Sequence, residues 1–225
     1  MIEIKDLEER RKKISWLIDE LEERYGELEN NNSRSPIDTL IQTVLSQNTN
    51  DKNRDRAWKG LRSRFSNYRE MEEASVEEIA SAIKPGGLQR QKAKTIKGIL
   101  DRLREEQGNI ELDYLRELST DRALSELKKF EGVGNKTAAI VLLFSLKKPY
   151  FPVDTHIRRV TKRLDLVRKG EGAHKTLNLL VPDDLKYQLH RHLIRHGRET
   201  CRARKPQCEE CFLLKKCPTG KENID

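Results

Sequence analysis

The chain has 225 residues, of which 35% are hydrophobic, 5% aromatic and 36% charged, with a mean hydropathy of −0.82. No run approaches the roughly 18 apolar residues of a membrane span, and helical spacing of apolar residues nearly throughout argues against a disordered chain. The start, Met1 to Asp6, alternates charged and apolar residues and lacks the apolar core of a signal peptide, so a cytoplasmic protein is expected, with one large domain or two intimate small ones.

In chain order, residues 5–29 read as an amphipathic helix with Ile14, Leu17, Ile18 and Leu21 on one face. Asn30-Asn31-Asn32-Ser33 breaks it. Ser35-Pro36 then restarts a helix whose Ile37, Leu40, Ile41, Val44 and Leu45 form a core stripe. Further helices are predicted at 51–65, 75–83 and 89–106, separated by Asn67, by Pro85-Gly86-Gly87 and by Gly108-Asn109, with weaker patterns over 112–117 and 120–130. No segment carries the period-two alternation of a strand. The chain reads as all-α, with loops supplying the chemistry.

Net charge is +8, and its distribution is uneven. Asp154 to Cys217 holds 16 Lys/Arg against 8 Asp/Glu, while the other residues hold 29 of each sign. A second basic run, Lys84 to Arg104, has seven Lys/Arg and one acid, Asp101. Concentrated positive charge on a folded chain suggests nucleic acid as partner; a solvated surface is the plain alternative.

All four cysteines fall in the last 25 residues, as Cys201-x6-Cys208-x2-Cys211-x5-Cys217, followed by Pro218. Clustered thiols in a chain without an export signal point to a metal centre rather than disulfides. Structural zinc commonly recruits two short Cys pairs, and only one is present here; uneven spacing with a trailing proline fits a [4Fe–4S] cluster better. Zinc stays open as the alternative. Arg202, Arg204 and Lys205 lie inside the first loop and would present cations beside the centre.

The sharpest motif runs from Leu127 to Leu142. A helix ends near Phe130, Gly132-Val133-Gly134 makes a tight turn, and a second helix starts near Asn135. Glycines flanking one apolar residue permit positive φ and leave the backbone bare, so the helix-start N–H groups face outward as an anion site. This is a helix-hairpin-helix pattern, which holds DNA phosphate without reading sequence; an ordinary αα-hairpin is the plain alternative. Lys136 sits on the first turn of the second helix, where positive helix-end charge favours a free amine. Asp154 follows 18 residues later, at an N-cap position before a helix carrying Ile157, Val160 and Leu164. Its plain role is that cap; His156, two residues on, has the plain role of a local hydrogen bond.

Together, the hairpin, Lys136, Val153-Asp154-Thr155-His156 and the cysteine loop resemble the endonuclease III family of DNA glycosylases, from roughly Ser35 to Cys217. The resemblance implies a helix-hairpin-helix glycosylase fold of two α domains. Residues 30–148 would form a six-helix barrel, and 1–29 with 149–225 a cluster domain, with the active-site groove between them. Lys136 matches the nucleophile that attacks C1′ of a flipped nucleotide, and Asp154 the carboxylate that stabilises positive charge on the sugar. A Schiff base, base release and β-elimination would follow.

Gly132, Val133 and Gly134 would hold the phosphate backbone. Extruding a base from the stack requires wedges. Two loops supply them in the family, matching Ser46-Gln47-Asn48-Thr49-Asn50 and Gly87-Leu88-Gln89-Arg90 here. Leu88 is the apolar wedge. Asn48 stands where the family usually has Gln, with Gln47 one place earlier, so either would fill the vacated stack. Glu131 replaces a common Pro, placing an acid on the phosphate side, with Lys128 and Lys129 near enough to offset it. Cys201, Cys208, Cys211 and Cys217 match the ligands of a [4Fe–4S] cluster. The implied partner is double-stranded DNA with a damaged base or abasic site, bound by a monomer located at the nucleoid through DNA.

The resulting expectation is a bifunctional glycosylase and abasic-site lyase acting on oxidised or saturated pyrimidines. Uracil or thymine opposite guanine is the alternative substrate. A non-catalytic DNA-binding module and a zinc-containing structural protein are the alternatives from other classes. Lys136 with Asp154 argues against a mere binder, which has no use for that pair.

Overall fold

A computed structural model describes residues 4–31 and 34–224 of the chain. Met1–Glu3 of the start segment and Asn32-Ser33 of the polar break lie outside the described residues. Those described form α-helices and short 3₁₀ turns, with no strand among them. In chain order the helices are α1 Ile4–Tyr25, α2 Pro36–Ser46, α3 Asp51–Arg64, α4 Tyr68–Glu73, α5 Val76–Ala82, α6 Gln89–Gln107, α7 Thr120–Lys128, α8 Asn135–Phe144, α9 Thr155–Arg163, α10 Ala173–Leu180, α11 Lys186–Glu199 and α12 Pro218–Glu222. None is long and apolar enough to cross a membrane.

Local side-chain chemistry sets most helix starts. Ser35 accepts from the Asp38 amide with Pro36 at the first turn, Asn50 accepts from Asn53, and Ser119 from Arg122. Ser75 and Glu78 form a reciprocal capping box at α5. Several elements differ from expectation. Helix α1 stops at Tyr25 instead of 29, because Gly26 takes φ +81° and its amide closes the last turn on the Glu22 carbonyl. The weak pattern over 112–117 forms only a 3₁₀ turn, Asp113–Arg116, and helices α10, α11 and α12 are additional, as is α4. Asn67, read as a separator, caps α4 by accepting from the Glu70 amide, and only Met71 of its six residues is buried.

The chain divides into two compact units, one made of 1–31 with 149–225 and the other of 32–148. In the second, α2 packs on α3, α6 and α8. Leu40, Ile41, Val44 and Leu45 from α2 meet Ile96 and Leu100 from α6 and Ala138, Val141 and Leu142 from α8, all fully buried. Burying one such large aliphatic side chain contributes about 1.5–3 kcal/mol. In the first unit, Ile14, Leu17, Ile18 and Leu21 of α1 pack with Phe151, Ile157, Leu177, Leu189 and Leu193. Arg10, also on α1 and 4% exposed, donates to both Glu171 oxygens (2.7 and 2.8 Å), to Asp6 (2.6 Å) and to the Leu166 carbonyl. Its guanidinium is thereby held well above the usual arginine range, first by the Glu171 hydrogen bond, against the cost of burial.

Candidate functional site

The turn between α7 and α8 is built to leave backbone donors open. Gly132 takes φ +79°, and a Cβ there would lie 2.7 Å from the Thr95 hydroxyl of α6, so glycine is required by conformation and by space alike. Val133 is 5% exposed; its side chain anchors the turn in the core and leaves only its backbone for a ligand. Helix α8 begins from Gly134 with no side-chain cap, unlike α2, α3, α7 and α9. Its first-turn N–H groups are therefore not taken by a capping side chain and suit an anion. Lys136 is exposed on this same turn. Lys129 is bound to both oxygens of Glu126 at 2.8 Å, so this cation is already engaged beside Glu131.

The two loops expected to carry the wedges lie in the same unit as the hairpin. Gln47 caps the end of α2, and its side-chain amide donates to the Gly132 carbonyl (3.1 Å) and reaches the Thr137 hydroxyl (3.4 Å). Asn48 is exposed and takes φ +50°. Leu88 also sits in the left-handed region (φ +49°) and is 51% exposed, the most exposed of the large hydrophobic side chains among the described residues. Not every cation of the Lys84–Arg104 run faces solvent: Lys92 is buried, and Lys97 donates to Asp101 and to the Glu72 carbonyl. Periodicity in charge carries no information on which lysine a neighbouring helix will cover.

Asp154 belongs to the other unit. Its carboxylate accepts from the Ile157 amide at 2.8 Å and caps α9, with the side chain partly exposed. His156 has its Nδ1 3.1 Å from Arg159, whose guanidinium also donates to the Gly197 and Cys201 carbonyls. The local hydrogen bond expected for His156 is present.

Cys201, Cys208, Cys211 and Cys217 all line one cavity, together with Val160, Leu164 and Leu213. Each sulfur has a nitrogen beside it: Arg163 Nη1 at 3.3 Å from Cys201, Asn223 Nδ2 at 3.4 Å from Cys208, the Gly220 amide at 3.3 Å from Cys217, and His196 Nε2 at 3.9 Å from Cys211. Burial pushes the Cys211 thiol up to about 11 and raises Cys217 as well, so thiolates here need a compensating positive core. Burial also pushes His196 down to about 4, keeping it neutral at ordinary pH. Among the described residues no group of three or more His, Cys, Asp or Glu side chains is gathered to hold a single metal ion. The four thiols share the lining of one cavity.

The structure thus joins Gln47 directly to Gly132 and to the residue after Lys136, and places the four thiols around one cavity. Sequence reasoning missed the Gln47 tether and the burial of Lys92. No local pattern signals either, since both depend on carbonyls distant in the chain.

A family model described as HhH-GPD superfamily base excision DNA repair protein matches residues 41–182. The chain is 42% identical over 167 residues to an Arabidopsis thaliana protein named Putative DNA glycosylase At3g47830, covering 73% of this chain and 57% of that protein's length. It is 38% identical over 190 residues to Endonuclease III of Thermotoga maritima, covering 84% of this chain and 85% of that one. A solved structure of a trapped endonuclease III–DNA covalent intermediate superposes with a TM-score of 0.82 at 29% identity, covering 96% and 99% of the two chains.

Proposed function

The chain belongs to the endonuclease III family within the HhH-GPD superfamily of base excision DNA repair proteins, and from that footing we propose that it is a bifunctional DNA glycosylase and abasic-site lyase acting on oxidised or saturated pyrimidines in duplex DNA. The observation that carries this reading is an exposed lysine on the first turn of a helix that no side chain caps, beside the glycine turn that presents its backbone donors. A phosphate held there brings the sugar to an amine suited to imine formation. The Lys136 amine attacks C1′, the C1′–N bond to the base breaks and the base leaves with the proton the amine gives up. The C1′–O4′ bond then opens, O4′ takes a proton, and the resulting protonated imine acidifies the adjacent C2′ proton. Loss of that proton expels the 3′ phosphate and cuts the strand. Asp154 offsets positive charge as it develops on the sugar. These roles for Lys136, Asp154, Gly132, Val133 and Gly134 rest on family membership and local geometry.

Of the two residues offered for the vacated stack, Asn48 is the wedge. Gln47 is engaged with the hairpin, whereas Asn48 is exposed. Leu88 is its apolar counterpart. The protein acts in the cytoplasm, at the nucleoid through its DNA, as a monomer.

Cys201, Cys208, Cys211 and Cys217 would hold a [4Fe–4S] cluster, and the donor set fits one: four thiols around a shared cavity, each with a nearby nitrogen to stabilise a thiolate. When bound, the cluster would cross-link the chain just beyond α11, at Cys201, to the C-terminal loop carrying Cys208, Cys211 and Cys217. Cys211→Ser is expected to remove the broad absorption near about 400 nm and to lower the melting temperature on the order of 10 °C. A variant that keeps both its colour and its melting temperature would show the ligand set to be wrong.

The first test is borohydride trapping on a duplex with one thymine glycol beside a matched abasic duplex. Adducts with both support the oxidised-pyrimidine reading. Trapping on the abasic duplex alone moves the substrate to uracil or thymine mispairs, and no adduct with either removes the catalytic reading. Binding is expected to fall about a thousandfold between roughly 50 and 200 mM salt if six phosphates are neutralised; a flat response would leave the basic surface without a DNA role.

A further inference from the structure

One buried ammonium joins the roots of both wedge loops. Lys92, on α6, is 2% exposed, and its Nζ donates to the Leu45 carbonyl and to the Gly86 carbonyl, each at 2.8 Å. Leu45 lies in the last turn of α2, immediately before Ser46-Gln47-Asn48. Gly86 ends the 3₁₀ turn immediately before Gly87-Leu88. Beyond each root stands a residue other than glycine in the left-handed region, Asn48 at φ +50° and Leu88 at φ +49°. For leucine such a conformation is costly and persists only where the surroundings over-determine it, whereas asparagine tolerates it better.

Burying a lysine is expensive unless its charge is met. No salt bridge to Lys92 is found among the described residues; burial alone lowers its ammonium from the usual range, and two carbonyl dipoles receive its protons. Packing by itself would be served better by leucine or methionine. What the ammonium does that those side chains do not is fasten two chain segments to one atom.

We propose that Lys92 is a positioning residue that clamps the Asn48 loop and the Leu88 loop in fixed register, so that the two wedges enter the base stack together. The proposal rests on the glycosylase/lyase reading above. Lys92 acts before the chemistry, on opening the stack, and has no part in the attack on the sugar.

The test compares one reaction that must open a stack with one that need not. In the full-length, cluster-loaded protein, Lys92→Met should slow single-turnover excision from a thymine-glycol duplex on the order of 10- to 100-fold, the scale of a misplaced binding element. Cleavage of an abasic site in a single-stranded oligonucleotide should stay within about twofold, because no stack is present to open. Fluorescence of 2-aminopurine placed opposite the lesion should lose its rise on binding. In a Leu88→Ala background, Lys92→Met should add little, because both act through the same wedge. Lys92→Gln keeps N–H donors for the carbonyls and should recover part of the duplex activity; it takes the place of Lys92→Met if that variant does not melt cooperatively. Parallel losses on both substrates, or additive effects with Leu88→Ala, would overturn the clamp. An unaltered protein inactive on both substrates would instead overturn the glycosylase/lyase reading beneath it.

Discussion

Lys136→Ala is expected to abolish borohydride trapping and to reduce strand cleavage at an abasic site by a thousandfold or more, on the order seen when a covalent nucleophile is removed. The substitution is clean in physical terms. Lys136 is exposed, alanine is a good helix former, and the residues that hold the turn are Val133, Gly132 against Thr95, and Gln47 on the Gly132 carbonyl. Stability should therefore change by no more than about 0.5 kcal/mol. Duplex affinity should be largely kept, since the backbone donors of α8 remain. Full lyase activity in this variant would sink the nucleophile assignment, and loss of binding together with cleavage would make Lys136 a phosphate contact instead.

Asp154→Asn should lower base excision about 10²- to 10⁴-fold, the usual yield of a positioned catalytic carboxylate, while leaving the melting temperature nearly unchanged. Asp154 has a structural duty as the cap of α9, accepting from the Ile157 amide at 2.8 Å. Asparagine can perform that duty as well as aspartate and lacks only the charge. Asp154→Ala loses both, at an added cost of about 1 kcal/mol, or about 2–4 °C in a chain of this size. The pair of variants separates the roles by calorimetry and single-turnover kinetics. An asparagine variant with undiminished excision, beside an alanine variant that merely melts earlier, would reduce Asp154 to a cap.

Much of the molecule is legible in its sequence. The stripe of Ile37, Leu40, Ile41, Val44 and Leu45 named a buried helix face because apolar spacing follows the helical repeat. Ser35-Pro36, Asp154 and Gly132-Val133-Gly134 announced helix starts and a turn because capping and positive φ are decided within three or four residues. Helix α4 carries almost no periodicity because only Met71 of its six residues is buried, and the pattern of α1 runs past Tyr25 because polar residues at a helix end do not mark where a glycine will stop it.

Contacts between distant segments add what the sequence does not carry. Gln47 and Asn48 are adjacent amides of equal promise on paper; the fold engages the first with the hairpin and leaves the second exposed. Lys92 reads as one more cation in a basic run, and only packing shows it buried against the Leu45 and Gly86 carbonyls. Four cysteines with uneven spacing come to line one cavity, with a nitrogen beside each sulfur, only once α9, α11 and the C-terminal loop meet. Caps, turns and helical faces are short-range energetics and are written locally. Which polar group is buried, and which carbonyl receives its proton, depends on long-range contacts and is decided by the tertiary structure alone.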